Sequence, residues 1–232
     1  MGLTRVNILS PNYSSRSGSA VRLIVLHTAE GALTYQSLGS YFQNPASQVS
    51  SHVGIDDTPN TVGQYVNRGD KAWTAANANP VAVQAELCAF AAWTVADWNA
   101  HPTMLQNTAQ WIAEEAAAFG IPLTKLTPAQ AQGSSRGICQ HRDLGAWGGN
   151  HTDCGSAFPI DQVISMAQGG VPPEDEDEIE MIIVRAPNGA MSMFDGYRKV
   201  GLVSTADVSA FNAAGIKTVN ISQNQYDKIP NS

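Results

Sequence analysis

Val21-Arg22-Leu23-Ile24-Val25-Leu26 is an apolar run broken by one arginine, and His27 follows it directly. A short continuous apolar run is typical of a strand that is buried on both faces. We therefore predict a buried strand over Val21–Leu26, with His27 where the strand emerges from the core. A strand end is rigid enough to hold a metal ligand accurately. For a histidine considered alone, the alternative is an ordinary buried residue with satisfied hydrogen bonds.

Together with the segments on either side of this strand, the pattern predicts an α/β fold with a mixed central β-sheet flanked by helices. Residues 1–20 are polar and rich in turn formers, which predicts an irregular lead-in. Thr103–Phe119 has apolar residues at helical spacing and is followed by Gly120 and Pro122, which predicts a helix. The remaining predicted elements of this part are strands at Val49–Ile55, Val62–Val66, Val81–Leu87 and Gly137–His141, a segment of mixed helical spacing at Tyr35–Gln43, and a closing helix at Asp161–Ala167.

The chain is expected to contain two parts, residues 1–168 and 181–232, joined by an acidic linker rich in glycine and proline at 169–180. The linker carries six acids between Glu174 and Glu180, which repel one another and stay solvated. Beyond it we predict a small α+β module. Its predicted elements are a hairpin of Met181–Arg185 and Ala190–Phe194 across an Asn-Gly turn, helices at Thr205–Ala213 and Ser222–Ile229, and a strand at Ile216–Ile221.

Composition excludes several classes of protein. The net charge of −7 comes mostly from the linker, since residues 1–173 hold 8 basic against 11 acidic residues. Neither part has the basic stripe of a nucleic-acid-binding protein. Three widely spaced cysteines argue against a disulfide scaffold. Without a membrane-length apolar stretch or a secretory signal, we expect synthesis in a cytoplasm and no membrane insertion.

His27, His141 and Asp153 are the residue types that suit a zinc ion with an open fourth position. The two histidines follow strand-like segments, and Asp153 follows a glycine-rich loop that can bend back toward His141. Three alternatives remain open at this point. Cys154 is a rival third ligand, His151 is another, and Cys154 paired with a histidine would suit a cysteine peptidase.

Several motifs occur in the order found in one known family. They are Leu23-Ile24-Val25-Leu26-His27-Thr28-Ala29, Ser50-Ser51-His52-Val53-Gly54-Ile55-Asp56, Val62-Gly63-Gln64-Tyr65-Val66, Ala72-Trp73-Thr74-Ala75, Gln140-His141-Arg142-Asp143 and His151-Thr152-Asp153-Cys154-Gly155. Together they resemble the type-2 N-acetylmuramoyl-L-alanine amidases, which share a fold with peptidoglycan recognition proteins. The resemblance covers about residues 18–167, and the loops look most like those of actinobacteriophage endolysins.

This resemblance implies zinc on His27, His141 and Asp153. It implies that Glu86 is the general base for the attacking water, although Glu86 could instead be a surface residue of an edge strand. His151 stands where many relatives have lysine, and it would donate a hydrogen bond to the oxyanion. We predict that His52, Trp73 and Trp147 contact the substrate. The alternative for His52 is that it is an ordinary strand histidine.

The function implied is that of a phage endolysin. Such an enzyme would be made in the host cytoplasm and would hydrolyse the amide between N-acetylmuramic acid and L-alanine after release to the cell wall. Its partner would be bacterial peptidoglycan, and residues 181–232 would bind the wall or simply stabilise or oligomerise the chain. The alternatives are a cytosolic amidase that recycles wall fragments and a non-catalytic peptidoglycan-binding protein of the same fold.

Overall fold

The computed structural model describes residues 2–31, 33–169, 182–194, 199–202, 205–213, 216, 218–220 and 222–229. The chain divides into an N-terminal unit, Met1–Pro172, and a C-terminal unit, Pro173–Ser232. Residues 170–180 of the predicted linker lie outside the described residues. Among the helices that are described, we find none long and apolar enough to cross a membrane.

The N-terminal unit is built on a six-stranded sheet with the order β1-β5-β4-β7-β3-β8. Neighbouring strands are parallel except for β4 and β5, which are antiparallel, so the predicted mixed sheet is confirmed. A separate two-stranded antiparallel sheet pairs β2 with β6. The strands are β1 (Thr4–Asn7), β2 (Tyr13–Ser15), β3 (Leu23–Thr28), β4 (Val53–Ile55), β5 (Thr61–Gln64), β6 (Asp70–Ala72), β7 (Ala82–Leu87) and β8 (Gly137–Gln140).

Strand β3 lies between β7 and β8, and every one of its residues is buried. Successive side chains point to opposite faces of a sheet. Ile24 and Leu26 therefore enter the larger core, whereas Leu23 and Val25 enter a smaller core on the other face. Because both faces of the strand are covered, its sequence is a continuous apolar run rather than an alternation of apolar and polar residues.

Helices surround this sheet as predicted, and α3 is the longest of them. Its buried residues recur at helical spacing and include Leu105, Trp111 and Ile112. The helix ends at Gly120, whose φ of 62° is the left-handed conformation that glycine adopts readily. The helices are α1 (Tyr35–Gln43), α2 (Val95–Asn99), α3 (Pro102–Phe119), α4 (Pro128–Gln132), α5 (Gly145–Gly148) and α6 (Ile160–Ala167), with short 3-10 turns at Pro45–Ser47, Ala76–Val81 and His141–Leu144.

The prediction of an irregular lead-in over residues 1–20 was wrong. This segment supplies β1, an edge strand that pairs in parallel with β5, and β2, which pairs with β6. Both strands are short, and each of their residues is exposed or half-exposed, so they lack the apolar signal of a buried strand. Their partners lie more than fifty residues away in sequence, and local patterning does not reveal such pairings.

The C-terminal unit has a four-stranded sheet with the order β11-β10-β9-β12. Strands β9 and β10 form the predicted antiparallel hairpin, and β12 pairs in parallel with β9. Met181 and Ile221, at the ends of two predicted strands, lie outside the described residues. The elements are β9 (Ile182–Arg185), β10 (Met191–Phe194), β11 (Lys199–Leu202), α7 (Thr205–Ala213), β12 (Thr218–Asn220) and α8 (Gln223–Lys228).

Candidate active site

Three predicted ligands meet at the carboxyl-terminal edge of the parallel strands. His27 is the penultimate residue of β3, His141 opens the turn that follows β8, and Asp153 lies in the next loop. The Nδ1 atoms of the two histidines are 2.9 Å apart, and each is 3.2 Å from a carboxylate oxygen of Asp153. All three side chains are buried, and within the described residues they form the group able to hold a metal ion.

Hydrogen bonds to the outer nitrogens define which ring nitrogens face the centre of this group. The Nε2 atom of His27 is 3.1 Å from the Gln84 side-chain oxygen, and that of His141 is 2.8 Å from the Gly148 carbonyl oxygen. Both partners are acceptors, so each Nε2 carries the proton and each Nδ1 presents a lone pair. Two lone pairs and a carboxylate that converge on one point repel one another unless a cation lies between them. The donor set therefore fits a divalent metal such as zinc.

The electrostatics of the three residues also favour metal binding. Burial, helped by the neighbouring His141, lowers the pKa of His27 and keeps its imidazole neutral. Burial alone would raise the pKa of Asp153, but the close side chains of His141 and His27 outweigh it and hold that pKa well below its ordinary value. A neutral imidazole and an ionised carboxylate are the protonation states that a metal ligand needs.

The loop geometry favours Asp153 over Cys154 as the third ligand. The backbone N–H of Arg142 donates to the Asp153 carbonyl at 2.8 Å, which ties the loop to the turn that carries His141. The side chain of Cys154 is fully buried and belongs to the larger core. Burial raises the pKa of this thiol well above its ordinary value, so it stays protonated and is a poor ligand or nucleophile.

Glu86 lies directly beside His27, because the two residues pair in the register of β7 and β3. Its Oε2 atom is inaccessible to solvent and has no hydrogen-bond partner in the described part of the chain. Burial, followed by the charges of Asp153 and Glu30, raises the pKa of Glu86 to about 8. A carboxyl group of this kind exchanges protons near neutral pH, as general acid–base chemistry requires.

An open cleft of about 640 Å³ borders the loop that carries Asp153. His151 lines it with a side chain that is 60% exposed, and its ring stacks on that of His141 at 4.3 Å. The sequence did not single out Glu30 or Arg142 as cleft residues, although Arg142 directly follows a predicted ligand. Glu30 is held by the Ala91 backbone N–H, whereas the Arg142 guanidinium is exposed and has no ion-pair partner among the described residues. The cleft is lined by Glu30, Ala91, Ala92, Arg142, His151, Thr152, Gly155 and Ser156.

The structure does not place the three predicted substrate-binding residues in this cleft. His52 is 2% exposed, its Nδ1 accepts from the Gln84 backbone N–H and its Nε2 donates to the Asp70 carbonyl, with the Arg16 guanidinium 2.9 Å from Nε2, which fits the alternative of a structural histidine. Trp73 is half-buried and donates to Ser14. Trp147 packs against the smaller core, with the Arg22 guanidinium 5.4 Å from its ring centre.

Comparison with known proteins agrees with this geometry. Residues 17–156 match a family model described as N-acetylmuramoyl-L-alanine amidase. A curated relative, N-acetylmuramoyl-L-alanine amidase A of Achromobacter lyticus, is 27% identical over 169 residues, which cover 69% of this chain and 90% of the relative.

Solved structures show the same fold at low sequence identity. The hydrolase AmiA of Staphylococcus aureus superposes with a TM-score of 0.56 at 17% identity, covering 75% of this chain and 89% of that one. The N-acetylmuramoyl-L-alanine amidase LysC of Clostridium intestinale superposes with a TM-score of 0.52 at 14% identity, covering 74% and 99%.

Proposed function

The chain belongs to the N-acetylmuramoyl-L-alanine amidase family and is an amidase that acts on peptidoglycan, and we propose that it is a zinc-dependent phage endolysin. The convergence of His27, His141 and Asp153 is the observation that carries the zinc dependence. The filled ligand set also separates the chain from a non-catalytic binder of the same fold, since such proteins typically lose a ligand.

The proposed chemistry assigns one role to each residue at the site. His27, His141 and Asp153 would hold zinc, which supplies Lewis-acid chemistry that acidifies water and polarises a carbonyl oxygen. Glu86 takes the proton from the attacking water and returns it to the departing amine nitrogen. His151, exposed at the edge of the cleft, donates a hydrogen bond to the carbonyl oxygen as negative charge develops on it.

We propose that the peptide of the substrate, which begins with L-alanine, binds in the cleft that borders the loop of Asp153. Its lining includes the side chains of Glu30, Arg142, His151, Thr152 and Ser156, and the exposed guanidinium of Arg142, unpaired among the described residues, suits a carboxylate of the peptide. The two tryptophans chosen from the sequence lie outside this lining. We therefore assign peptide recognition to Arg142 rather than to aromatic stacking.

Metal analysis and product analysis test the activity together. We expect the purified chain to carry about one zinc and to release peptides that begin with L-alanine from purified peptidoglycan. Protein that holds zinc and releases no such peptide would overturn the proposal. Protein that is active without zinc, and unaffected by a chelator, would overturn the assignment of the metal.

The endolysin role is supported by the resemblance to actinobacteriophage enzymes and by the presence of a second unit. A lysin gains from a second attachment that raises its local concentration at the wall, whereas a recycling amidase acts on small soluble fragments. We propose that the C-terminal unit binds the wall or its polymers, and that the protein is made in the host cytoplasm and released to the wall. Binding of the full chain and of a 1–173 truncation to insoluble walls tests this. Equal binding would refute the anchoring role.

A further inference from the structure

Gln84 is a fully buried polar residue in β7, a strand whose other residues are mostly apolar. Burying an amide group is costly unless each of its hydrogen-bonding atoms finds a partner. Both side-chain atoms of Gln84 do so. The oxygen lies 3.1 Å from Nε2 of His27, and the nitrogen donates to the Asn79 side-chain oxygen at 2.9 Å.

The orientation of the Gln84 amide follows from the backbone beyond it. The side-chain oxygen of Asn79 accepts the backbone N–H groups of Thr74 at 3.1 Å and Ala75 at 2.6 Å. Backbone N–H groups can only donate, so this Asn79 atom must be the oxygen. It therefore requires the NH₂ group of Gln84 as its third donor, which turns the Gln84 oxygen toward His27.

The two histidine ligands are held in different ways. His141 donates to the Gly148 carbonyl, a backbone group that cannot exchange donor for acceptor. His27 depends on a side-chain amide, which would present a donor instead of an acceptor if it turned over. A donor there would favour the other tautomer of His27 and would place a proton on the nitrogen that faces His141.

We propose that Gln84 is a positioning residue that sets the tautomer and the ring orientation of His27, and that Asn79 holds Gln84 in the working orientation. We call this chain of contacts the relay: the backbone N–H groups of Thr74 and Ala75 orient Asn79, Asn79 orients Gln84, and Gln84 orients His27. Its effect on metal affinity rests on the proposed zinc site, whereas its effect on the tautomer does not. Partners of this kind typically change metal affinity by about 10- to 100-fold.

Two substitutions of similar size separate positioning from packing. Gln84→Met removes the acceptor and suits an apolar strand, whereas Gln84→Glu keeps an acceptor for His27 and adds a charge to the interior. Positioning predicts that Met weakens zinc binding by about 10- to 100-fold while Glu keeps it within a few-fold. A purely structural role predicts the reverse, because a buried charge disturbs a core more than a methionine does.

The experiment measures the zinc dissociation constant by competition with a chromophoric chelator, and the tautomer of His27 by long-range proton–nitrogen NMR of the metal-free full chain. We expect the proton on Nε2 in wild type and in Gln84→Glu, and its loss or a mixture of tautomers in Gln84→Met. Gln84→Met that keeps the wild-type tautomer and the wild-type affinity would overturn the proposal.

Two further outcomes distinguish a failure of the proposed metal site from a failure of the proposed role of Gln84. If wild type bound no zinc, the proposed metal site would fail, but the tautomer comparison would still decide the role of Gln84. If Gln84→Met failed to fold, Asn79→Ala would replace it, since that change frees the Gln84 amide to turn over. A wild-type tautomer and a wild-type affinity in Asn79→Ala would then refute the relay.

Discussion

Replacing Glu86 with glutamine should slow hydrolysis strongly and at the same time stabilise the metal-free protein at neutral pH. The folded-state pKa of Glu86 is about 8, above the ordinary value of 4.5. As the pH rises, the unfolded chain therefore releases this proton before the folded protein does. The stability contributed by the protonated group is fully present below about pH 4.5 and is lost as the pH rises toward 8.

The size of the effect follows from the two pKa values. One pKa unit corresponds to about 1.36 kcal/mol, so wild type loses roughly 3 kcal/mol between pH 5 and pH 8. The glutamine variant has no proton to lose and should show no such slope. At about 2–4 °C per kcal/mol for a protein of this size, Tm of the variant should exceed that of wild type by roughly 6–12 °C at pH 8.

Thermal unfolding of chelator-treated protein from pH 5 to pH 8 measures the slope, and peptide release from peptidoglycan measures activity. Activity should fall by about 10²-fold or more, because proton transfer is lost while the metal ligands remain. Asp161→Asn is the matched control, since Asp161 is an exposed carboxylate paired with Lys125 at 2.7 Å. Parallel pH slopes for wild type and Glu86→Gln, or retained hydrolysis in the variant, would refute the reasoning.

The remaining predictions concern the loop that carries the third ligand. Asp153→Ala should lose bound zinc, which metal analysis checks. Cys154→Ala should keep zinc but lose about 1–3 kcal/mol of stability in denaturant unfolding, because the thiol packs in the core. His151→Ala should lower kcat by about 10²-fold with little change in KM, and His151→Lys should restore most of the rate in steady-state assays. Gly155→Ala should disrupt the loop, since Gly155 has a φ of 88° and a Cβ there would collide with the Ala91 carbonyl oxygen; a soluble variant with wild-type zinc content would contradict this.

Much of the fold could be predicted because its strongest elements carry local signals. The apolar run of β3 and the helical spacing of α3 with its terminal Gly120 gave the elements within about two residues of their observed ends. The strand predicted from Val49 begins only at Val53, since Ser50 and Ser51 use their side chains to bond loops and the adjoining strand. Such contacts depend on tertiary structure and leave no periodic pattern.

The candidate site, like the fold, could be predicted only in part. The spacing of histidine, aspartate and glycine suggested the ligand set, and the structure brings those three side chains together. The role of Gln84 was missed, because a glutamine within a strand has no special signal until its partners are known. The substrate-binding set was chosen by residue type, and residue type does not say which loop surrounds the cleft.

The ligand set joins positions 27, 141 and 153, and Glu86 belongs to β7, which lies between positions 27 and 141 in the sequence. Contacts between residues so far apart in the chain form late, because the entropy of closing long loops opposes them. A growing chain that has not yet added β8 beside β3 has neither the second histidine nor the aspartate. Hydrolytic competence should therefore arise only after synthesis has passed residue 153, and incomplete products should be inert toward the wall.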